Sequence, residues 1–194
     1  MNVGIYIYDQ SEVLDFSGPF EVFSTASRLC DSNETFNTFL VSETGDTVTA
    51  RAGYKVIPHY GFHNHPQIDV LIVVGGIHNE EMDKVEVIKW ISQQAKKSHI
   101  SASVCTGAFL LAQAKVIQSH KVTTHWDDIS ELRSMFPMLE VIEGVRWVDE
   151  GHLITSSGIS AGIDMSLYIV SKLYSDVLAE KTARQMEFVW TKNS

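Results

Sequence analysis

Cys105 stands where an apolar, strand-like run, Ile100–Val104, passes without a linker into a helical pattern from Thr106 to about Ala114. A thiol in so abrupt a strand-to-helix turn lies against the unpaired N–H groups of the helix start. Those dipoles favour thiolate over thiol. Ala102, Ser103, Gly107 and Ala108 are small enough to permit the bend and to leave space above the sulfur. A buried cysteine acting as a small hydrophobe fits the same string, so the local pattern leaves both readings open.

Asp15 is the natural partner for such a sulfur. It lies in Val-Leu-Asp-Phe-Ser-Gly-Pro-Phe, ahead of a helix expected to start at Ser17-Gly18-Pro19. A carboxyl beside a thiolate resists ionising, because two close anions are not both stabilised, and one proton is then shared. Sulfur attacks and Asp15 supplies the proton the adduct needs. Helix capping is the plainer use of the same residue. Gly75-Gly76-Ile77 and the Thr106-Gly107 helix start offer backbone N–H groups to a developing negative charge. A glycine pair equally serves a turn.

His125, in Thr123-Thr124-His125-Trp126, is a base, a thiolate partner or a cover for the pocket, or simply structural. His59, His63 and His65 form a His-x3-His-x-His string in which residues 63 and 65 share a face if extended. Without adjacent cysteine or acid ligands this reads as a solvated loop, and no metal is expected. The small-residue stretch from Thr155 to Asp164 enters a helix and either lines the pocket or packs. Asp164 is placed to favour that helix's N-terminal dipole. Cys30 is assigned no role.

The elements that must position these groups alternate. Asn2–Tyr8 and Phe36–Glu43 read as strands, Thr47–Ile57 as a short hairpin. Ile68–Val74 is a continuous apolar run ending in Gly75-Gly76, the mark of a strand buried on both faces and therefore parallel. Glu80–Ala95 reads as one amphipathic helix and Trp126–Phe136 as another. Val141–Thr155 reads as a hairpin turning at Asp149-Glu150-Gly151, with closing helices over Gly162–Leu173 and Ser175–Trp190. The pattern predicts an α/β three-layer sandwich: a flavodoxin-like, mainly parallel sheet with helices on both faces and a nucleophile-elbow cysteine. In such sheets the ligand crevice lies beyond the carboxyl ends of the strands, where Asp15, Gly75-Gly76 and Cys105 should converge.

A chain of 194 residues without a linker or repeat is expected to form one domain, 1–194. Fifteen Lys and Arg against 24 Asp and Glu give a net charge of −9, which argues against nucleic acid as a partner. Two distant cysteines do not form a disulfide framework and suit a reducing compartment. The N-terminus has no basic leader and meets Asp9 early. The uncharged stretch 98–114 is broken by Ser, Thr, Gly and Gln, so a cytoplasmic protein with no membrane partner is expected.

Three segments in fixed order carry a resemblance: Leu14-Asp15-x-x-Gly18-Pro19-x-Glu21-Val22-Phe23, Asp69-Val70-Leu71-x4-Gly75-Gly76, and Ser103-Val104-Cys105-Thr106-Gly107-Ala108. With Thr123–Trp126 and Ser160–Asp164, the chain resembles the ThiJ/PfpI superfamily of class I glutamine-amidotransferase-like fold. Within it, the chain most resembles isonitrile hydratases and the sensor domains of AraC-type regulators. The resemblance implies a nucleophilic Cys105, Asp15 as its acid and Thr106 at the substrate end, in a homodimer that needs no cofactor. It implies an enzyme hydrating a small isonitrile to an N-substituted formamide, or a related small electrophile; the alternative is a ligand- or redox-sensing domain without turnover. The protease-like branch carries histidine after the cysteine, whereas Thr106 stands here, which argues against a peptidase. No late His-x-Glu pair of the amidotransferases occurs. The helix-turn-helix domain that follows in the regulators has no counterpart in this sequence, so no direct DNA contact is expected.

Overall fold

The computed structural model describes residues 1–30 and 36–192. In chain order the elements are β1 (Asn2–Tyr6), α1 (Val13–Leu29), β2 (Asn37–Val41), β3 (Val48–Thr49), β4 (Lys55–Val56), β5 (Val70–Val73), α2 (Asn79–Met82) and α3 (Val85–Ala95). They continue with β6 (Ile100–Val104), α4 (Gly107–Gln113), β7 (Lys121–Val122), α5 (Ile129–Met135), β8 (Glu140–Val141), β9 (Trp147–Asp149), β10 (Leu153–Ser156), α6 (Ala161–Leu173) and α7 (Asp176–Gln185).

The central sheet runs β2-β1-β5-β6-β10-β9, parallel throughout except for the antiparallel edge strand β9. Burial explains the parallel pairing. Every residue of β5 and β6 is buried, Ser101 and Ser103 included, so neither strand has a face for water. Successive residues then alternate between two helical layers. Tyr6 meets Trp90 of α3 at 5.4 Å between ring centroids. Val104 packs on Gly162 of α6 so closely that a Cβ there would come within 2.8 Å of it. Helices α1, α6 and α7 pack together on the α6 side, and α2, α3 and α4 on the other. The sandwich expected from the alternating pattern is the observed architecture. No helix among the described residues is long and apolar enough to cross a membrane.

Several boundaries differ from expectation. Helix α1 begins at Val13, not at Ser17, so Asp15 lies in its first turn and Pro19 inside it. Pro19 lacks the N–H that would reach the Asp15 carbonyl. The helix expected over 80–95 breaks at Asp83-Lys84. Lys84 turns extended (φ −79°, ψ 102°) and reaches back to Glu81, Nζ to Oε2 at 2.9 Å, while buried Glu81 also accepts from the Tyr6 hydroxyl. Val141 pairs with Val122 of β7, leaving only β9 and β10 in the hairpin. Helix α7 stops at Gln185, and the following segment is tied to α6: Trp190 Nε1 donates to the Asp164 carbonyl at 3.2 Å, and Thr191 N–H to Asp164 Oδ1 at 2.7 Å.

Candidate active site

Strands β1, β5 and β6 are neighbours, so their carboxyl ends open side by side. Cys105 follows β6 with φ +56°, a left-handed conformation that an L-residue adopts at a cost of roughly 1–2 kcal/mol. The surroundings hold it there. Its N–H donates to the Ser156 carbonyl at 3.2 Å, and its carbonyl accepts from Thr124 Oγ1 at 2.9 Å. Helix α4 can start this close to β5 only through Gly107, where a Cβ would lie 2.1 Å from the Val73 carbonyl oxygen. The strained backbone of a nucleophile elbow is therefore built from β10, β7's flank and β5 together.

Asp15 is fully buried at the same point, and its Oδ2 accepts the Gly75 N–H at 3.1 Å. Oδ1 has no hydrogen-bond partner among the described residues. Residue 75 must be glycine: a Cβ would stand 2.6 Å from Thr106 N and 2.9 Å from Asp15 Oδ2. Burial raises the Asp15 pKa to about 8, with the Gly75 N–H and the Cys105 thiol pulling the other way. The sulfur behaves differently from the sequence expectation. The N–H groups of Thr106 and Ile159 do favour its charged form, but burial first and the Asp15 charge second outweigh them and push the thiol up. The resting pair thus keeps its protons, and the two protons belong to the pair rather than to either residue. The sequence expectation of one proton shared by the pair is not what this environment favours: both groups are pushed toward their protonated forms, and the helix start alone does not ionise the sulfur.

The expected N–H cradle is differently assigned. Gly75 N–H is spent on Asp15, Gly76 N–H on Thr106 Oγ1 at 3.0 Å, and Ile77 N–H on the Gln10 carbonyl at 3.2 Å. Thr106 Oγ1 donates in return to the Gly76 carbonyl at 3.0 Å, so its hydroxyl ties the β5 turn to the elbow. The N–H groups that reach the sulfur are those of Thr106 and Ile159. Ile159 belongs to the small-residue loop after β10, has φ +52°, and its role carried no sequence signal beyond the adjacent Gly158. His125 Nδ1 pairs with Asp128 Oδ2 at 3.1 Å, and its ring lies against Gly158, where a Cβ would come within 2.0 Å. It supports the loop that carries Ile159.

Other candidates lie elsewhere. Asp164 lies in the first turn of α6, as expected, and is also buried against Arg146, whose Nε donates to Oδ2 at 2.8 Å. His59 accepts the Leu40 N–H through Nδ1 at 3.0 Å and His65 accepts Trp90 Nε1 at 3.1 Å, uses that hold loops in place. Two clefts of about 570 and 500 Å³ flank α3 and include neither Cys105 nor Asp15.

The model of the DJ-1/PfpI family matches residues 1–172. The chain belongs to the DJ-1/PfpI family. Among members of the DJ-1/PfpI family, it is similar to the isonitrile hydratase of Pseudomonas putida, at 28% identity over 191 residues covering 97% of this chain and 78% of that one. It is also similar to the HTH-type transcriptional regulator GbdR of Pseudomonas aeruginosa, at 25% identity over 88% of this chain and 46% of the regulator, about half its length. A ThiJ/PfpI family protein from Pseudomonas syringae superposes with a TM-score of 0.85 at 23% identity, over 100% of this chain and 77% of that one. An AraC family transcriptional regulator from Pseudomonas putida superposes at 0.79 and 18% identity, over 95% and 98% of the two chains. The structural likenesses speak to fold alone.

Proposed function

We propose that this protein hydrates small isonitriles to N-substituted formamides through Cys105 and Asp15. The observation that carries the reading is the buried Asp15–Cys105 pair at a strained elbow. The likeness along nearly the whole chain to an isonitrile hydratase supports the choice of substrate. The Cys105 sulfur bonds to the terminal isonitrile carbon while Asp15 gives its proton to that carbon and receives the thiol proton. The product is a thioimidate. Water then adds to the same carbon, its proton passing to Asp15 as the Asp15 proton passes to nitrogen. Collapse breaks the carbon–sulfur bond, the hydroxyl proton returns to sulfur through Asp15, and the formamide leaves. Thr106 and Ile159 N–H groups stabilise charge on the sulfur as it attacks and as it departs.

In this reading the protein is a single-domain, cytoplasmic homodimer and a cysteine-dependent lyase, not a peptidase, and it works without a cofactor. The test is formamide formation from several aliphatic isocyanides by wild type and Cys105→Ala. Product from the wild type alone supports the reading, and no product with any isocyanide ends it. A second reading, a sensor domain that binds a small molecule or oxidises at Cys105 without turnover, draws on the likeness to GbdR. Tight binding or peroxide oxidation at Cys105 with no product would favour it.

A further inference from the structure

The hydrogen bonds that build the elbow bring four separate segments to Cys105. Thr124 Oγ1 donates to the Cys105 carbonyl at 2.9 Å, and the Cys105 N–H donates to the Ser156 carbonyl at 3.2 Å. The Gly76 N–H donates to Thr106 Oγ1 at 3.0 Å, and Asp15 Oδ2 accepts the neighbouring Gly75 N–H at 3.1 Å. Within three positions of these anchors, each segment carries a large apolar side chain left in solvent: Trp126 at 77% exposure, Ile77 at 47%, and Leu14 and Ile159 at 37% each. The segments also hold one another. The His125 ring lies against Gly158 and 5.6 Å from the Trp126 ring, which ties the Trp126 segment to the Ile159 segment. Glu12 N–H donates to the Gly75 carbonyl at 2.9 Å and Ile77 N–H to the Gln10 carbonyl at 3.2 Å, which ties the Leu14 segment to the Ile77 segment. Single exposed apolar residues are ordinary, but four on segments joined around one buried sulfur mark a surface with a use.

We propose that Leu14, Ile77, Trp126 and Ile159 form an apolar collar at the mouth of the Cys105 site, and that the collar receives the uncharged hydrocarbon substituent of the substrate. The proposal rests on the isonitrile reading for the reacting group and names the class of substituent that group carries. An isonitrile is linear from its terminal carbon through nitrogen to the first atom of the substituent. A terminal carbon held at a recessed sulfur therefore leaves the substituent at the opening, where the collar stands. Covering a hydrocarbon group there removes apolar surface of both partners from water, and Trp126 offers the largest area for it. A methyl group is too short to use that surface; a pentyl or benzyl group is long enough.

Alkylation of Cys105 tests the collar without turnover. Rates with iodoacetamide and N-benzyl iodoacetamide are followed by peptide mass, which counts Cys30 separately, and each is divided by the rate of the same reagent with glutathione. In the wild type the corrected rate should be about fivefold to tenfold higher for the benzyl reagent, as expected for half-covering a phenyl group. Trp126→Ala should bring the ratio close to one, and Trp126→Leu should restore part of it. Val85→Ala, which removes an equally exposed apolar residue beside the α3 clefts, should leave the ratio as it is in the wild type. Formamide production should follow the same order, with kcat/KM rising from methyl through pentyl to benzyl isocyanide in the wild type and flattening in Trp126→Ala. Equal corrected rates in the wild type, or a preference that survives Trp126→Ala, overturn the proposal. Survival of the preference while light scattering shows Trp126→Ala breaking a dimer would assign the patch to a second copy of the chain instead. Formamide formed without any benzyl preference overturns the collar and leaves the isonitrile reading standing. A benzyl preference in alkylation with no formamide from any isocyanide overturns that reading and leaves the collar.

Discussion

Replacing Asp15 by asparagine should make the protein's stability less sensitive to pH, and the size of the effect follows from burial. In the unfolded chain this carboxyl ionises near its ordinary value of 3.8, whereas in the folded protein burial raises it to about 8. Between those values the native state holds a proton that the unfolded state has released. Stability therefore falls as pH rises, by up to ~1.4 kcal/mol per pH unit from this group. The contribution is greatest below the unfolded pKa and is lost as pH rises through the folded one. From pH 5 to pH 7 the loss is roughly 3 kcal/mol. Asparagine keeps an oxygen for the Gly75 N–H and has no proton to lose, so its own contribution is flat. Urea unfolding of wild type and Asp15→Asn at pH 5, 6, 7 and 8 measures this as a difference of slopes. Parallel stability curves, or a wild type that gains on the variant as pH rises, would refute the reasoning that Asp15 is held neutral.

Two further substitutions test the geometry around the pair. Gly75→Ala places a methyl 2.6 Å from Thr106 N and 2.9 Å from Asp15 Oδ2, so it should destabilise by about 1–3 kcal/mol and displace the acid; unchanged denaturant midpoint and activity would contradict the packing. At position 105, where φ is +56°, glycine should be more stable than alanine by ~1 kcal/mol although both lack the sulfur. Equal midpoints for Cys105→Gly and Cys105→Ala would show that the elbow is unstrained.

The elbow itself was legible in the chain because it is local. An apolar run that abuts a helical pattern, with small residues on both sides of Cys105, leaves the backbone few other ways to turn. The Gly75-Gly76 pair after a fully apolar strand was legible for the same reason. What depends on neighbours distant in sequence was not. The direction of the Cys105 shift is set by how deeply sulfur and Asp15 are buried, and no spacing encodes depth. Ile159 reaches the sulfur from a loop 54 positions away. The early end of α7 combines a local stop, a left-handed Glu187 (φ +51°) with the Phe188 N–H donating back to the Ala183 carbonyl, with the anchoring of Trp190 and Thr191 on Asp164.

The account turns on the coupling of the Cys105 sulfur to the carboxyl of residue 15. Its most direct measurement is the iodoacetamide alkylation rate of Cys105 as a function of pH, followed by peptide mass so that Cys30 is counted separately, in wild type and Asp15→Asn. The wild-type thiol should titrate above an ordinary cysteine, and the variant, freed of the Asp15 charge, should shift to lower pH. A sulfur that titrates like an ordinary cysteine in both proteins would contradict it.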